Sequence, residues 1–291
     1  MIAKFSIKDL EKISGIKAHT LRIWEQRYGI LKPERTDTNI RWYSNDELKQ
    51  LLNITLLYNC GYKISKIATL KYADLSVEVN KIIESKAMPS EQIDGLIISM
   101  VELDEERFEK IITDNIHAKG FAYTIESVVY PFLHKIGIMW QTGGINPAQE
   151  HFISNLIRQK IIVGIDSVKT KPESTKNKFV LFLPENELHE LSLLYFNYQL
   201  KSLGHTVIYL GQSVPQIDLE KVIEIKNPQY LVSVFTHAME NPLEYIQELS
   251  SKYQKVKILV SGMQITQFEG SLPQNVQLFR TPSDLLGLIP V

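Results

Sequence analysis

The chain has 291 residues, of which 44% are hydrophobic and 22% charged, and its formal net charge is -1. This length is long for one domain, and the composition predicts a soluble intracellular protein of two or three domains. No apolar run approaches the ~18 residues of a membrane span, and residues 1–5 do not open a signal peptide, so we expect a cytoplasmic protein.

Charge is distributed unevenly along the chain. Residues 1–75 contain 13 Lys and Arg against 8 Asp and Glu, a net +5, which leaves -6 on the other 216 residues. A basic segment of this kind is typical of contact with nucleic acid. The single cysteine, Cys60, excludes an internal disulfide and leaves no thiolate cluster for a soft metal.

The first two elements have the layout of a helix-turn-helix. Apolar residues recur at helical spacing at Phe5, Ile7, Leu10 and Ile13, and residues 14–16 (Ser-Gly-Ile) break the run before a second helix. Two helices joined by a short turn that contains glycine are typical of DNA-binding modules.

The second helix presents an apolar stripe and a polar face. Leu21, Trp24 and Tyr28 form the stripe, which predicts that they point inward. The outward face then carries His19, Thr20, Arg22, Ile23, Gln26 and Arg27. Polar and basic side chains on such a face bond phosphates and base edges of duplex DNA.

A short hairpin, or wing, is predicted after the second helix. Residues 32–43 cannot continue a helix past Pro33, and their polar middle is flanked by aromatic residues. Arg41 on the wing and Arg27 on the helix could neutralise phosphates on either side of a DNA groove. Residues 44–47 (Ser-Asn-Asp-Glu) form a capping box that opens a third helix.

This segment resembles the MerR family of winged-helix transcription regulators. The matching positions are Thr20-Leu21-Arg22, Trp24-Glu25, Arg27 and Arg41-Trp42-Tyr43-Ser44. The resemblance covers residues 5–72, and Lys17 departs from it where many members carry a helix-capping Ser. It implies a DNA-binding domain over residues 1–74, with DNA contacts from His19, Thr20, Arg22, Arg27, Arg41 and Tyr43.

The middle of the chain has the periodicity of packed helices. Apolar residues recur at helical spacing over 79–83, 93–101, 108–112 and 121–140. We therefore predict a four-helix bundle over residues 75–169. Residues 170–177 contain no apolar side chain and are predicted to be a linker.

Residues 178–291 alternate short β-rich runs with helical ones. Strands are predicted at 179–183, 206–210, 230–235, 257–260 and 276–279, with helices at 190–203 and 216–225. This alternation predicts a doubly wound parallel sheet. The expected fold class is therefore multidomain α and α/β: a winged helix-turn-helix, a helical bundle and a Rossmann-like sheet domain. Ligands bind such sheets at the carboxyl ends of the strands.

The turn after the first of these strands carries Glu187 and His189. The carboxylate, two residues before the histidine, can accept its second ring N–H, which fixes the tautomer and raises its basicity as a ligand. One histidine cannot hold a free zinc ion, but it can supply an axial ligand to a metal already held in a macrocycle.

A second candidate group lies in the bundle region, at Trp140 and at the start of the helix that follows. Asn146, Pro147 and Gln149 are an N-cap, a first-turn proline and a capping-box residue, so residues 150–151 (Glu-His) open a helix. The positive helix end favours a neutral imidazole and the neighbouring carboxylate opposes this, which leaves the protonation of the histidine open.

These residues resemble the cobalamin-binding photoreceptor branch of the MerR family, in which a Trp, nine residues and a Glu-His pair belong to a helical cap. Trp140, Glu150 and His151 match that spacing. The general cobalamin motif is matched by Glu187-x-His189-x-x-Ser192, Ser233-Val234-Phe235 and Ser261-Gly262. Ser192, Phe235 and Ser261 depart from it, and the two serines add side chains where glycine lets the backbone approach the cofactor's tail.

The resemblance implies adenosylcobalamin as the cofactor, with His189 as the lower axial ligand of cobalt. It places Trp140 and Glu150 at the upper face and makes His151 a candidate for the upper position after photolysis. Residues of the motif (Glu187, Ser192, Ser233, Ser261, Gly262) would complete the site.

The resemblance further implies a repressor of transcription and not an enzyme. Its partners would be operator DNA and other copies of the chain, in a dimer or a tetramer, and no membrane association is expected. A light response stays open. One alternative is a regulator whose cobalamin domain is degenerate and serves oligomerisation or another signal. Another is a cobalamin-carrying methyltransferase or mutase subunit, which the winged helix-turn-helix argues against.

Overall fold

A computed structural model of the chain describes residues 4–36, 39–71, 74–75, 77–79, 81, 89–141, 145–169, 177–236 and 239–289. The chain divides into two compact units, Met1–Leu156 and Ile157–Val291, which we describe separately. Most of the predicted linker, residues 170–176, lies outside the described residues. None of the helices in the described part of the chain combines the length and the apolar character that a membrane span requires.

The helix-turn-helix is present in the first unit. Helix α1 (Ile7–Ser14) begins at a reciprocal capping box between Ser6 and Asp9. It ends at Gly15, whose φ of 75° is in the left-handed region that favours glycine. Phe5, predicted to lie on this helix, instead pairs with Tyr43 through two backbone hydrogen bonds of 2.9 Å. The capping box places the start of the helix after Phe5, which corrects the prediction.

Helix α2 (Ala18–Tyr28) buries Leu21 and Trp24, as predicted, and half-buries Tyr28. The wing is an antiparallel pair of short strands, β1 (Glu34–Arg35) and β2 (Arg41–Trp42). Residues 37–38, within the predicted wing, lie outside the described residues.

Helix α3 (Asn45–Asn59) begins at the predicted cap, with the Glu47 N–H donating to Ser44 Oγ at 3.3 Å. The second half of the predicted capping box is wrong, because the Glu47 carboxylate accepts the N–H of Lys32 at 2.8 Å instead. This contact ties the chain that leaves α2 to the start of α3. A single turn, α4 (Ile64–Ile67), follows.

The middle of the chain is helical, as predicted. Its helices are α5 (Pro89–Glu102), α6 (Glu105–Lys119), α7 (Phe121–Thr124), α8 (Tyr130–Gln141) and α9 (Pro147–Ser167), with a π-helical turn at Ile125–Val129. Lys135 Nζ on α8 donates to Asp94 Oδ1 on α5 at 2.6 Å, and Gln149 Nε2 donates to the Val101 carbonyl at 3.0 Å. Burial raises the pKa of Asp94. The segment predicted around Val79 extends into residues outside the described ones.

The second unit is built on a five-stranded parallel sheet in the order β4-β3-β5-β6-β7. Its strands are β3 (Lys178–Pro184), β4 (Thr206–Val214), β5 (Tyr230–Val234), β6 (Lys257–Ser261) and β7 (Val276–Leu278). The helices between and after them are α10 (Leu191–Ser202), α11 (Gln216–Lys226), α12 (Pro242–Lys252), α13 (Met263–Thr266), a 3₁₀ turn at Glu269–Ser271, and α14 (Pro282–Gly287). The predicted doubly wound sheet is confirmed.

Helices cover both faces of this sheet, which explains why its strands are continuous apolar runs. Phe179, Leu181 and Leu183 pack on one face with residues of α10 and α14. Val180 and Phe182 point to the other face, toward α11 and α12. The chain leaves β3 toward β4 on one side and later returns to β5 on the other. A topological switch point therefore lies between β3 and β5, where folds of this class bind ligands.

Candidate functional site

The turn between β3 and α10 presents a histidine held by a buried carboxylate. Glu187 is 5% exposed, and its Oε1 lies 2.6 Å from His189 Nδ1 and accepts the backbone N–H of His189 at 3.0 Å. The imidazole is 62% exposed. A carboxylate only accepts, so in the neutral ring the proton is on Nδ1 and the lone pair is on Nε2. The tautomer inferred from the spacing is therefore the one this geometry favours.

A third contact of Glu187 places this pair at the switch point. Its Oε2 accepts the backbone N–H of Thr236, which follows β5, at 2.7 Å. One carboxylate thus joins the chain ends that leave β3 and β5 and orients the imidazole between them. Thr236 could not be recognised from the sequence, because a backbone donor carries no residue-type signal.

The far end of β4 supports the same turn. The Ser213 N–H donates to the Glu187 carbonyl at 3.1 Å, and Gln212 Nε2 donates to the Leu188 carbonyl at 2.6 Å. Ser213 Oγ accepts the N–H of Asn186 at 3.1 Å. The register of β4 against β3 shifts at two places here, so the strand bends over the turn. These supports were missed because the Gly-Gln-Ser segment is typical of a strand end.

The other motif residues of the sheet domain lie on adjoining strands or helix starts. Ser233 on β5 is 1% exposed, and its Oγ has no hydrogen-bond partner among the described residues. Ser261 ends β6, and its carbonyl accepts the N–H of Phe235 at 2.8 Å. Ser192 is half-buried in the first turn of α10. Phe235 is buried among the residues of the α11 and α12 face.

The backbone of Phe235 leaves no room for a side chain at position 262, so a glycine is required there. Its φ is 108°, and a Cβ at this position would lie 2.2 Å from the carbonyl oxygen of Phe235. The loop that follows β5 thus passes directly over the backbone that leaves β6. A serine is tolerated at 261, but glycine is needed at 262.

Two large apolar side chains are exposed at the carboxyl ends of these strands. Leu188 precedes the histidine and Met263 follows Gly262. Exposed apolar side chains at this edge of the sheet can contact the apolar part of a bound ligand. Neither residue carries a signal in the sequence, since an exposed apolar side chain cannot be told from a buried one by residue type.

In the first unit, the predicted start of α9 is confirmed. Asn146 Oδ1 accepts the N–H of Gln149 at 3.0 Å, and Gln149 Oε1 accepts the N–H of Asn146 at 3.1 Å. Glu150 Oε2 lies 2.8 Å from Nδ1 of the exposed His151, and its Oε1 accepts the Ser154 hydroxyl at 2.6 Å. Trp140 lies near the end of α8, but its side chain and residues 142–144 are outside the described ones.

The predicted DNA-binding residues of α2 form one surface. His19, Arg22 and Arg27 are exposed, and Thr20 is half-buried with its hydroxyl 3.3 Å from His19 Nε2. The wing is tied to α2 by Glu25, whose carboxylate accepts Arg41 Nε at 3.2 Å. The sequence motif contained Glu25, but its partners 16 and 18 residues away could not be deduced from it.

Tyr43 requires a correction. Its side chain is 0% exposed, and its hydroxyl donates to Glu25 Oε2 at 3.0 Å. Burial and the adjacent carboxylate raise the pKa of Tyr43. A side chain without exposed surface cannot contact DNA, so Tyr43 holds Glu25 in place beneath the wing.

The amino end of α2 has a cap supplied from outside the helix. At Lys17, where the sequence departs from the family pattern, the side chain forms no cap. Instead Glu11 Oε2 on α1 accepts the N–H of Ala18 at 3.1 Å, and Lys17 Nζ lies 3.2 Å from Glu11 Oε1. The hydrogen bond from Ala18, and then the ammonium group, lower the pKa of Glu11.

Comparison with known proteins relates the amino-terminal segment and the helical middle of the chain to described families. Residues 5–73 match the model of the MerR HTH family regulatory protein, and residues 92–163 match that of the B12 binding domain. The chain is 26% identical over 233 residues to the HTH-type transcriptional repressor CarH of Myxococcus xanthus, across 78% of this chain and 77% of CarH. It is 25% identical over 235 residues to the repressor CarA of the same organism, across 80% and 76%.

A solved structure shares the fold. The monomethylamine corrinoid protein of Methanosarcina barkeri superposes with a TM-score of 0.56 at 15% identity, and the match covers 69% of this chain and 98% of that one. At this identity the likeness shows a common fold only.

Proposed function

We propose that this chain, which combines a MerR-type helix-turn-helix with a B12-binding domain, is a DNA-binding transcriptional regulator that senses cobalamin. The observation that carries the proposal is the Glu187–His189 pair at the switch point of the sheet, in a chain that also presents an exposed basic helix. The names of CarH and CarA, both repressors, favour a repressor here as well.

The sheet domain fits a corrinoid in three respects. His189 would hold the corrinoid metal through Nε2, while Glu187 holds Nδ1. The buried hydroxyl of Ser233 lacks a partner among the described residues, so a bound polar group can supply one. Gly262 keeps the loop after β5 close to β6 without a side chain in between. Bound adenosylcobalamin would supply a cobalt–carbon bond that light can break.

We assign further residues to the cofactor on the basis of the resemblance. Trp140 and Glu150 are proposed for the upper face, and His151 for the upper axial position after photolysis. Glu150 is already bonded to both His151 and Ser154, which orients its carboxylate at the start of α9. The wing and α2 would bind operator DNA through His19, Thr20, Arg22, Arg27 and Arg41.

The proposed response is a change of assembly. Cobalamin uptake in the dark would favour a homo-oligomer, a dimer or a tetramer, that presents several DNA-binding modules at once. Linked modules bind more tightly than single ones because the second contact is intramolecular. No catalytic role is proposed, and turnover with a methyl donor would contradict this part of the proposal.

The experiment is an absorption spectrum of the desalted protein after dark incubation with adenosylcobalamin, repeated after green light, with size-exclusion runs alongside. We expect the wild type to retain a corrinoid spectrum. His189→Ala should weaken retention by more than about 10-fold, whereas His117→Ala, an exposed histidine on α6, should not. Equal retention by the His189→Ala variant would overturn the proposed ligand.

A second candidate is a regulator that no longer binds the cofactor. It is favoured by Phe235, whose ring is buried in the core beside Tyr245, and by Ser192 and Ser261 in place of glycine. No retained colour in the wild type would select this candidate. A retained spectrum that does not respond to green light would instead indicate a cobalamin sensor without light sensing.

A further inference from the structure

The residue after the proposed cobalt ligand has a buried carboxylate with two partners from distant parts of the chain. Glu190 is 6% exposed at its side chain. Its Oε1 accepts Arg158 Nε at 2.6 Å, and its Oε2 accepts the Tyr209 hydroxyl at 2.7 Å. Charge-assisted hydrogen bonds of this length are among the stronger ones in proteins, so the carboxylate is held at both oxygens.

The backbone of Glu190 is fixed as well. Its carbonyl accepts the first hydrogen bond of α10, from the Leu194 N–H at 2.8 Å, and its N–H donates to the Leu188 carbonyl at 3.0 Å. His189 is therefore one peptide bond away from a residue whose main chain and side chain are both restrained. A shift of Glu190 would change the direction in which the His189 imidazole points.

An irregularity in strand β4 lies next to Tyr209, the residue whose hydroxyl donates to this carboxylate. The register against β3 shifts directly after Tyr209, where the pairing moves from Leu181–Tyr209 to Phe182–Gly211. A Cβ on Gly211 would lie 3.3 Å from Tyr209 Cε1 and 3.8 Å from Glu190 Oε2, at a φ of 80°. The glycine thus leaves room for the tyrosine and the glutamate to meet. Burial and the Glu190 carboxylate raise the pKa of Tyr209, which keeps its hydroxyl a donor.

Arg158 connects the Glu190 carboxylate to helix α9. It lies on α9, seven residues after His151, and a separation of seven returns to nearly the same side of a helix after two turns. Its side chain is 47% exposed, so it is less restrained than the carboxylate that it binds. Helix α9 is continuous from Pro147 to Ser167.

We propose that Glu190 is a positioning residue for His189, and that Arg158 couples the orientation of this histidine to helix α9. The inference rests on the proposed function in that His189 is taken as the cobalt ligand. A change in the orientation of His189 would then shift the Glu190 carboxylate, and this shift would act directly on Arg158 of α9. The same contact allows a movement of α9 to tilt the imidazole.

The test compares Glu190→Gln and Arg158→Met with wild type, and uses Glu269→Gln as the matched control. Glu269 also binds an arginine, Arg280 at 2.5 Å, but is exposed and lies in the 3₁₀ turn after α13. The first readout is the visible spectrum of bound adenosylcobalamin, which distinguishes coordinated from uncoordinated imidazole. Glu190→Gln should increase the uncoordinated form and weaken affinity on the order of 10-fold.

Two outcomes would overturn the inference. One is a Glu190→Gln spectrum and affinity equal to those of the control. The other is a variant with a lower melting temperature but unchanged coordination, since a merely structural residue would behave in that way. Tyr209→Phe, which removes one of the two contacts and keeps the ring, should give a smaller shift toward the uncoordinated form.

The second readout needs no cofactor. Hydrogen exchange of the apo protein should rise in both Glu190→Gln and Arg158→Met at the turn of residues 185–190 and in residues 157–167 of α9, and should stay unchanged in Glu269→Gln. A rise in only one of these segments would contradict the coupling. If wild type takes up no cobalamin, the proposed function fails, while the exchange experiment still decides whether Glu190 restrains the turn.

Discussion

The hydroxyl of Tyr43 and the guanidinium of Arg41 share one acceptor, the Glu25 carboxylate. The Arg41 side chain is about a third exposed, so the ion pair itself contributes no more than about 1 kcal/mol. The main effect of the ion pair is to fix the position of Arg41, on the wing, relative to α2. A motif position can thus fix the geometry of a neighbouring side chain without being exposed itself.

This division of roles predicts different salt dependences for two variants. Tyr43→Phe should lower stability by about 1.5–3 kcal/mol, because a hydrogen bond to a carboxylate is lost. It should leave the slope of log affinity against log salt unchanged. Arg22→Ala should reduce that slope by about 0.9 if the side chain neutralises one phosphate. The measurement is a titration of duplex DNA, selected from a random pool by the full chain, at several salt concentrations. A reduced slope for Tyr43→Phe would restore this residue to the interface.

Gly262 provides a second prediction for a single residue. Gly262→Ala forces a Cβ against the carbonyl oxygen of Phe235 at a positive φ, so we expect a loss of about 2 kcal/mol or more in the free energy of unfolding. Gly270→Ala is the control, since a Cβ there meets nothing within 4 Å. Chemical denaturation of both variants measures the difference. Equal stabilities would show that the loop after β5 can move away from β6.

Helix α2 begins without a side-chain cap of its own and depends on α1. The Glu11 carboxylate accepts the N–H of Ala18 and lies close to Lys17, so it satisfies a free donor at the positive end of the helix. The departure from the family pattern at Lys17 is therefore compensated by a residue seven positions before the helix.

The shared cap predicts a pH dependence. The pKa of Glu11 is lowered from its usual 4.5 in the folded state. Its stabilising contribution is therefore present above that value and is lost as the pH falls through the folded pKa. Glu11→Gln should melt at a lower temperature than wild type near neutral pH, and the difference should vanish in acid. Adding Lys17→Ser, which restores a side-chain cap, should reduce the effect of Glu11→Gln. A difference that persists in acid would mean that the charge on Glu11 is not what matters.

The elements that the sequence predicted well are those with a local signal. Apolar runs gave the five parallel strands, and the Asn146 to Gln149 spacing gave the start of α9. The end of β4 could not be predicted in this way. It continues to Val214 with positive φ at Gly211 and Ser213, and Gly and Ser are residue types that a sequence pattern assigns to a loop.

The candidate site was predictable only in part, for the same reason. The Glu187–His189 contact spans two residues and follows from their spacing. The contacts that restrain the pair join residues 19 to 49 positions apart, as in Tyr209 to Glu190 and Thr236 to Glu187. Such pairings depend on strand order, which one sequence does not reveal. The burial of Tyr43 is hidden in the same way, because an aromatic residue after a wing is compatible with either face.

Charge is distributed unevenly between the two parts of the chain. Residues 1–75 carry a net +5 and the remainder -6, so we expect long-range attraction to DNA to come mainly from the first part. A single module with few phosphate contacts binds weakly at moderate salt. Under the proposed function, several linked modules on one DNA would bind more tightly than one, so we expect the cobalamin signal to act through assembly.

We expect assembly and DNA affinity to change together when cobalamin binds. Dark adenosylcobalamin should raise the affinity for selected duplex DNA on the order of 100-fold, together with a larger species in size exclusion, because linked modules act at a high effective concentration. His189→Ala should keep the weak affinity of the apo protein and lose the increase. Arg22→Ala should lower the affinity with and without cofactor, since Arg22 lies on the exposed face of α2 in every copy. If His189→Ala weakened DNA binding in the absence of cobalamin to the same extent, the histidine would act on the fold and not through the cofactor. A rise in affinity without a change in size would instead place the response within one copy of the chain.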